Sequence, residues 1–226
     1  MKPKNAPFWI VAIAGIILDY FTKQAVIQWI VSTSGEAAIE TMKAALAAET
    51  GARIIPMTTV IDGVLNFDFI LNDGAAFGLF SKQAMGAWLL PLLSLVVSLG
   101  LMFYGWVWRI ANRWEAIGYG FILGGAFGNG IERLFGINLL ERLLGMEPNL
   151  SLRGYVVDFI SVFPTTNLPV LNHPFPIFNV ADIWINLGIL CLLAVALTEP
   201  ENGARGDTRG DKRPRPRKTH YFIFRG

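Results

Sequence analysis

Two aspartates set among apolar residues offer the most chemistry in this 226-residue chain. Asp158 lies in Gly154-Tyr155-Val156-Val157-Asp158-Phe159-Ile160, and Asp182 lies in Phe178-Asn179-Val180-Ala181-Asp182, at the head of a long apolar run. Each has an ordinary explanation when taken alone. A helix dipole stabilises an acid in the first turn, which suits Asp182, and Asp158 reads as a hydrogen-bonded loop carboxylate. Two such acids at one depth, both flanked by apolar residues, point instead to a dyad. Neighbouring carboxylates do not both ionise readily, so one keeps its proton while the other stays charged. The charged member takes a proton from water, the protonated member polarises a peptide carbonyl, and the apparent pKa values belong to the pair. Asn179 is three residues before Asp182 and shares its helix face.

No other nucleophile set competes. The single cysteine, Cys191, sits inside an apolar run, which excludes an intramolecular disulfide and a cysteine zinc site. Ser94 and Ser98 read as helix packing, and His173 and His220 are too isolated to build a metal centre.

Further polar residues interrupt apolar runs, where a charge costs about 2.5–3.5 kcal/mol on insertion scales. Asp19 and Lys23 are four apart, in the favourable acid-before-lysine order for a helical pair. They either neutralise each other or contact a substrate. The run Gly124–Arg133 is rich in glycine, which lets helices approach closely, and it carries Asn129, Glu132 and Arg133. Glu132 reads as a local partner of Arg133, and Arg133 has the chemistry to hold a phosphate or a substrate carbonyl. Asn72-Asp73-Gly74 is turn chemistry when taken alone.

The elements that must position these residues are membrane helices. The chain is 53% hydrophobic and only 16% charged, against about 25% charged in soluble domains. Four apolar stretches, about Phe8–Val31, Ala84–Trp108, Trp114–Phe135 and Phe178–Leu197, reach the roughly 20 residues a spanning helix needs. Lys2 and Lys4 before the first stretch resemble a secretory signal, but its length and the lack of a small-x-small cleavage site favour a retained helix. With the N-terminus inside, twelve of the 19 Lys and Arg residues fall in short inner segments and five in longer outer ones. The positive-inside rule then puts both termini in the cytoplasm. The formal net charge of +2 gives no overall case for nucleic-acid binding.

Two segments face outward on this reading. The first, Ser32–Gln83, opens with an alanine-rich helix, Glu36–Ala48, and turns to β-branched residues over Thr58–Phe69, which predicts short strands. The second, Gly136–Pro176, opens with Leu139–Leu144, an apolar stretch that suits the interface. The expected fold is a mainly α, four-transmembrane-helix bundle with a small extracytoplasmic β-rich platform and an amphipathic interfacial arm. Residues 1–199 form the membrane unit, and the Pro-, Arg- and Gly-rich residues 200–226 form a basic cytoplasmic tail expected to be disordered. No internal repeat of the kind common in transporters is found.

These motifs, in this order and across all four stretches, resemble the lipoprotein signal peptidases, or type II signal peptidases, which are aspartic peptidases of the bacterial inner membrane. The matching segments are Leu18–Lys23, Asn72–Phe77, Gly124–Arg133, Val156–Ile160 and Phe178–Asp182. The resemblance implies removal of the signal peptide from prolipoproteins, just before a cysteine that already carries diacylglycerol. It implies Asp158 and Asp182 as the catalytic dyad and Asn72, Asn129, Arg133 and Asn179 as residues that line the site, with Asp19 and Lys23 as the first-helix motif in contact with substrate. It also implies no metal or cofactor, a monomer in contact with membrane lipid, and inhibition by globomycin. The chain departs from the family pattern at Glu132, where Asp is usual, and at Tyr20, where Gln is common. Gly35–Arg53 and Ile137–Arg153 look like insertions.

Two other classes fit the composition. A proton-coupled transporter would place its acids near the bilayer midplane, whereas Asp158 falls outside every span and Asp182 at the end of one. A non-enzymatic scaffold would use the outer insertion or the basic tail.

Overall fold

The computed structural model describes residues 5–37, 39–40, 43, 55–72, 84–136, 142–143, 145, 154–165 and 175–198. Four long helices and three strands make up this part: α1 (Ala6–Thr33), β1 (Ile55–Ile61), β2 (Leu65–Asn72), α2 (Ala84–Val107), α3 (Arg113–Phe135), β3 (Val156–Val162) and α4 (Val180–Thr198). The helices coincide with the four apolar stretches of the sequence to within a few residues. Three of them, α1, α2 from Leu89 and α4, are long and apolar enough to cross a membrane.

Helix α3 differs because it is the centre of the bundle. It packs against α1, α2 and α4, and its glycines make the approach possible. A Cβ on Gly125 would run into the carbonyl oxygen of Ala181 on α4, and one on Gly128 would lie 2.6 Å from Asp19 Oδ2 on α1. Small residues at these positions let neighbouring backbones come close enough for the polar side chains between them to meet. At the opposite end, the Asn5 amide donates to Gly105 O (2.8 Å) and Trp108 O (2.7 Å) and accepts from Ile110 N (3.0 Å). It thereby ties the start of α1 to the α2–α3 connection.

The strands form one antiparallel sheet in the order β1-β2-β3. Asn72 pairs with Val156 and Ile70 with Asp158, and an irregularity lies between Phe67 and Ile70. The extra residue there is a bulge, a device that re-aims side chains beside it. One sheet face buries Phe69, Leu71, Val157 and Phe159 against Ile27 and Ile30 of α1. Strand alternation puts Asp158, between Val157 and Phe159, on the other face. Phe178 then bridges to Ile160, with Ile160 N to Phe178 O at 2.8 Å, so the chain enters α4 directly alongside β3.

The strands expected over Thr58–Phe69 are thus present and somewhat longer, and Asp158 is on a strand rather than in a loop. Of the helix expected at Glu36–Ala48, residues 36, 37, 39, 40 and 43 are helical and the rest lies outside the described residues. So do most of Leu139–Leu144, the Asp73–Phe77 part of the Asn72 motif and the tail.

Candidate active site

Five elements deliver the candidate site residues. Asn72 ends β2, Asp158 sits within β3, Asn129 and Arg133 lie in the last turns of α3, Asp19 and Lys23 lie on α1, and Asn179 immediately precedes α4. Asn179 and Asp182 form a reciprocal cap at the head of α4. Asp182 N donates to Asn179 Oδ1 (3.1 Å) and Asn179 N donates to Asp182 Oδ2 (3.0 Å). This satisfies two backbone donors that a helix N-terminus otherwise leaves without partners, and it fixes the Asp182 carboxylate in the first turn.

The Asn179 side chain reaches the other way and joins the two acids. Its Nδ2 donates to Asp158 Oδ1 (2.7 Å), to Val157 O (3.2 Å) and to Asn129 Oδ1 (3.0 Å). Asn72 Nδ2 donates to Asp158 Oδ2 at 2.7 Å, and Asn129 Nδ2 donates to Asp182 Oδ1 at 2.9 Å. Three asparagine amides therefore hold the two carboxyls. Asp158 is 1% exposed. Its carboxyl is pushed up to about 7, first by burial and then by the charge of Asp182, against the opposing pull of Asn72, Lys23 and Arg133.

Behind the acids lies a buried ionic cluster. Lys23, 1% exposed, places its ammonium 2.8 Å from Asp19 Oδ2, 3.1 Å from Glu132 Oε2 and 2.9 Å from Asn129 Oδ1. These contacts account for all three of its donors. Asp19 Oδ1 accepts from Ala181 N at 3.0 Å, and Glu132 Oε2 accepts from Val157 N at 3.2 Å. Asp19 thus holds the residue before Asp182, and Glu132 holds the residue before Asp158.

Glu132 is not a local partner of Arg133, as its neighbourhood in sequence suggested. Successive helical residues point about 100° apart, so Glu132 turns toward Lys23 and β3. Arg133 Nη1 instead donates to Gly154 O (2.5 Å), while Gly154 N donates to Arg133 O (2.8 Å), which clamps the chain entering β3. The expected Asp19–Lys23 pair is present, and both residues are buried behind the acids. A groove of about 470 Å³ opens at Asp182 and Asn72 and is lined by Phe175, Phe178, Ile183, Asn186, Leu187 and Leu190, among others. Sequence reasoning passed over Asn186, although its position four residues after Asp182 puts it on the same helix face.

The matching family model is described as signal peptidase (SPase) II and covers residues 11–198. The chain belongs to this family. It is 40% identical over 193 residues to a lipoprotein signal peptidase of Microcystis aeruginosa, covering 85% of this chain and 93% of the relative. It is 36% identical over 214 residues to one of a Cyanothece species, covering 95% and 96%. Among solved structures, a bacterial membrane enzyme determined by the in meso method at 2.3 Å shares the fold, with a TM-score of 0.54, 21% identity and coverage of 88% of this chain and 93% of that one. A second, at 1.9 Å, has a TM-score of 0.52 at 22% identity, covering 84% and 92%. The family makes this chain a signal peptidase II-type protease with several apolar helices suited to a bacterial membrane.

Proposed function

We propose that Asp158 and Asp182 are the catalytic dyad of an aspartic endopeptidase that cleaves diacylglyceryl-modified prolipoproteins immediately before the lipidated cysteine. The observation that carries this reading is the shared amide frame. Asn179 caps Asp182 through its backbone N–H and Oδ1 and binds Asp158 through Nδ2.

Burial and Asp182 hold the Asp158 carboxyl up to about 7, which suits it to carry the proton near neutral pH. The Asp182 carboxylate takes a proton from water as the water oxygen attacks the scissile carbonyl carbon. Asp158 gives its proton to the carbonyl oxygen, and a tetrahedral diol forms. As the C–N bond breaks, Asp182 protonates the leaving nitrogen and Asp158 recovers its proton from the diol. The products are the signal peptide carboxylate and a lipoprotein with a free cysteine amine. Asn72, Asn129, Arg133 and Asn179 line and orient this site. Asp19 and Lys23 serve as positioning residues, because they reach the dyad through Ala181 N, Asn129 and Glu132.

On this reading all four helices span the bacterial inner membrane, both termini are cytoplasmic and the dyad faces the outer leaflet. The sheet is the extracytoplasmic platform and residues around 139–144 form the interfacial arm. The peptidase unit is residues 1–199, acting as a monomer on substrate and lipid without metal or cofactor, and globomycin blocks the dyad. A gel-shift assay with lipidated prolipoprotein tests the chemistry. Asp158→Asn and Asp182→Asn should each abolish cleavage while still inserting, and unlipidated substrate should not be cut. Full activity in either variant removes the dyad assignment.

A further inference from the structure

The groove beside Asp182 contains a polar residue that the dyad chemistry does not use. Ile183, Asn186, Leu187 and Leu190 line it at helical spacing, on a helix apolar enough to cross a membrane. Ile183 is 36% exposed, Leu187 41% and Leu190 61%, and Asn186 is also exposed. An amide on such a surface is costly unless something pairs with it. Asn186 Nδ2 donates back to Asp182 O at 2.8 Å, which pins the side chain against the turn that carries the acid. Its Oδ1 has no hydrogen-bond partner among the described residues. A fixed acceptor therefore sits about 6 Å along the helix from the Asp182 level, in the groove that leads away from the dyad.

A peptide bond is open to attack only where the substrate backbone is unwound. At membrane depth, unwound backbone leaves N–H and C=O groups with no water to satisfy them. We propose that Asn186 is a substrate anchor whose Oδ1 accepts a hydrogen bond from one backbone N–H of the unwound segment on the signal-peptide side of the scissile bond. The inference rests on the dyad reading and deepens it. The anchor reads backbone rather than side chain, so it sets the register of the scissile bond without restricting sequence. Asn72, at the mouth of the same groove, is already committed to Asp158.

The test uses synthetic lipopeptides with a diacylglyceryl cysteine, in which each backbone N–H on the signal-peptide side is replaced in turn by an ester oxygen. Wild type is compared with Asn186→Leu and with Asn186→Thr, whose hydroxyl keeps the back-bond to Asp182 O. Both variants should lose about tenfold in kcat/KM through KM, the size of one hydrogen bond. Wild type should show the same loss at one ester position, and the variants should lose nothing more there. Unchanged KM in both variants, losses that add at every position, or full recovery in the Thr variant would overturn the anchor. Cleavage of the parent lipopeptide by wild type but not by Asp158→Asn keeps the dyad reading whichever way the anchor result falls. A wild type that leaves the parent lipopeptide intact sinks both.

Discussion

Replacing Asp158 by Asn removes a carboxyl that burial and Asp182 push from 3.8 to about 7. Between those values the folded protein holds a proton that the unfolded chain has released. The stability tied to this group is therefore fully present below pH 3.8 and is lost as pH rises to about 7. A rise of about three pH units corresponds to about 4 kcal/mol over the full range, and to about 3 kcal/mol between pH 5 and 8. For a chain of this size that is a fall of roughly 6–12 °C in thermal midpoint across the same interval. Asn cannot titrate, so the variant should lack this fall. The assay is the thermal midpoint in detergent micelles from pH 5 to 8, followed by intrinsic fluorescence for both proteins. The difference in slope is the diagnostic quantity, because the altered hydrogen bond to Asn72 adds only a pH-independent offset. Wild-type kcat/KM should also decline above about pH 7, as Asp158 loses the proton it donates. Parallel midpoint curves would show that Asp158 does not titrate in this range and would remove the physical basis for calling it the acid.

Four other perturbations test the frame around the acids and what lies outside it. Glu132→Gln takes one of two carboxylates from Lys23 and weakens the hold on Val157 N; it should cost about 1–3 kcal/mol and lower kcat more than it raises KM, read from steady-state cleavage beside thermal midpoints. Gly125→Ala drives a methyl group into Ala181 O and shifts the turn that carries Asp182, so kcat should fall about a hundredfold. Gly130→Ala, whose added methyl meets Ser94, with Cβ at 3.1 Å and no overlap with backbone among the described residues, should lose far less in the same assay. Removing residues 200–226 should leave cleavage in membranes unchanged, since every residue assigned to the dyad and its frame precedes them; a gel-shift assay on the truncated protein decides this.

The helix positions were legible in the sequence because membrane spanning demands long apolar runs, and the runs are plainly there. The first two strands were legible because β-branched residues replace alanine over Thr58–Phe69, whereas β3 was not, since a carboxylate in the middle of Val156–Val162 suggests a loop. The polar positions stood out for the same reason as the spans. A charge or an amide inside an apolar run is expensive, so Asp19, Lys23, Asn129, Asp158 and Asp182 stand out along the chain by residue type alone. The cap at Asn179 and Asp182 was half legible, since a spacing of three brings the two residues together at any helix start.

Beyond local pairs such as Asp19–Lys23, partner choice was not legible, because it depends on how distant elements are rotated and aligned. Glu132 has Arg133 beside it in sequence, yet it takes Lys23 and Val157 N, since α3 turns that face toward α1 and β3. Arg133 is left to hold Gly154 O. Asn186 looks like an isolated polar residue in an apolar helix until the groove places it beside Asp182. Local propensity and the cost of burying polar groups act along the chain, so they mark which residues need partners and which long segments are helices. Which distant partner each residue found was set by packing. Glycine-permitted helix contacts and the β2–β3 register are set by residues far apart in sequence, and a rotation of one helical position or a slip of one strand residue would redirect every one of those side chains.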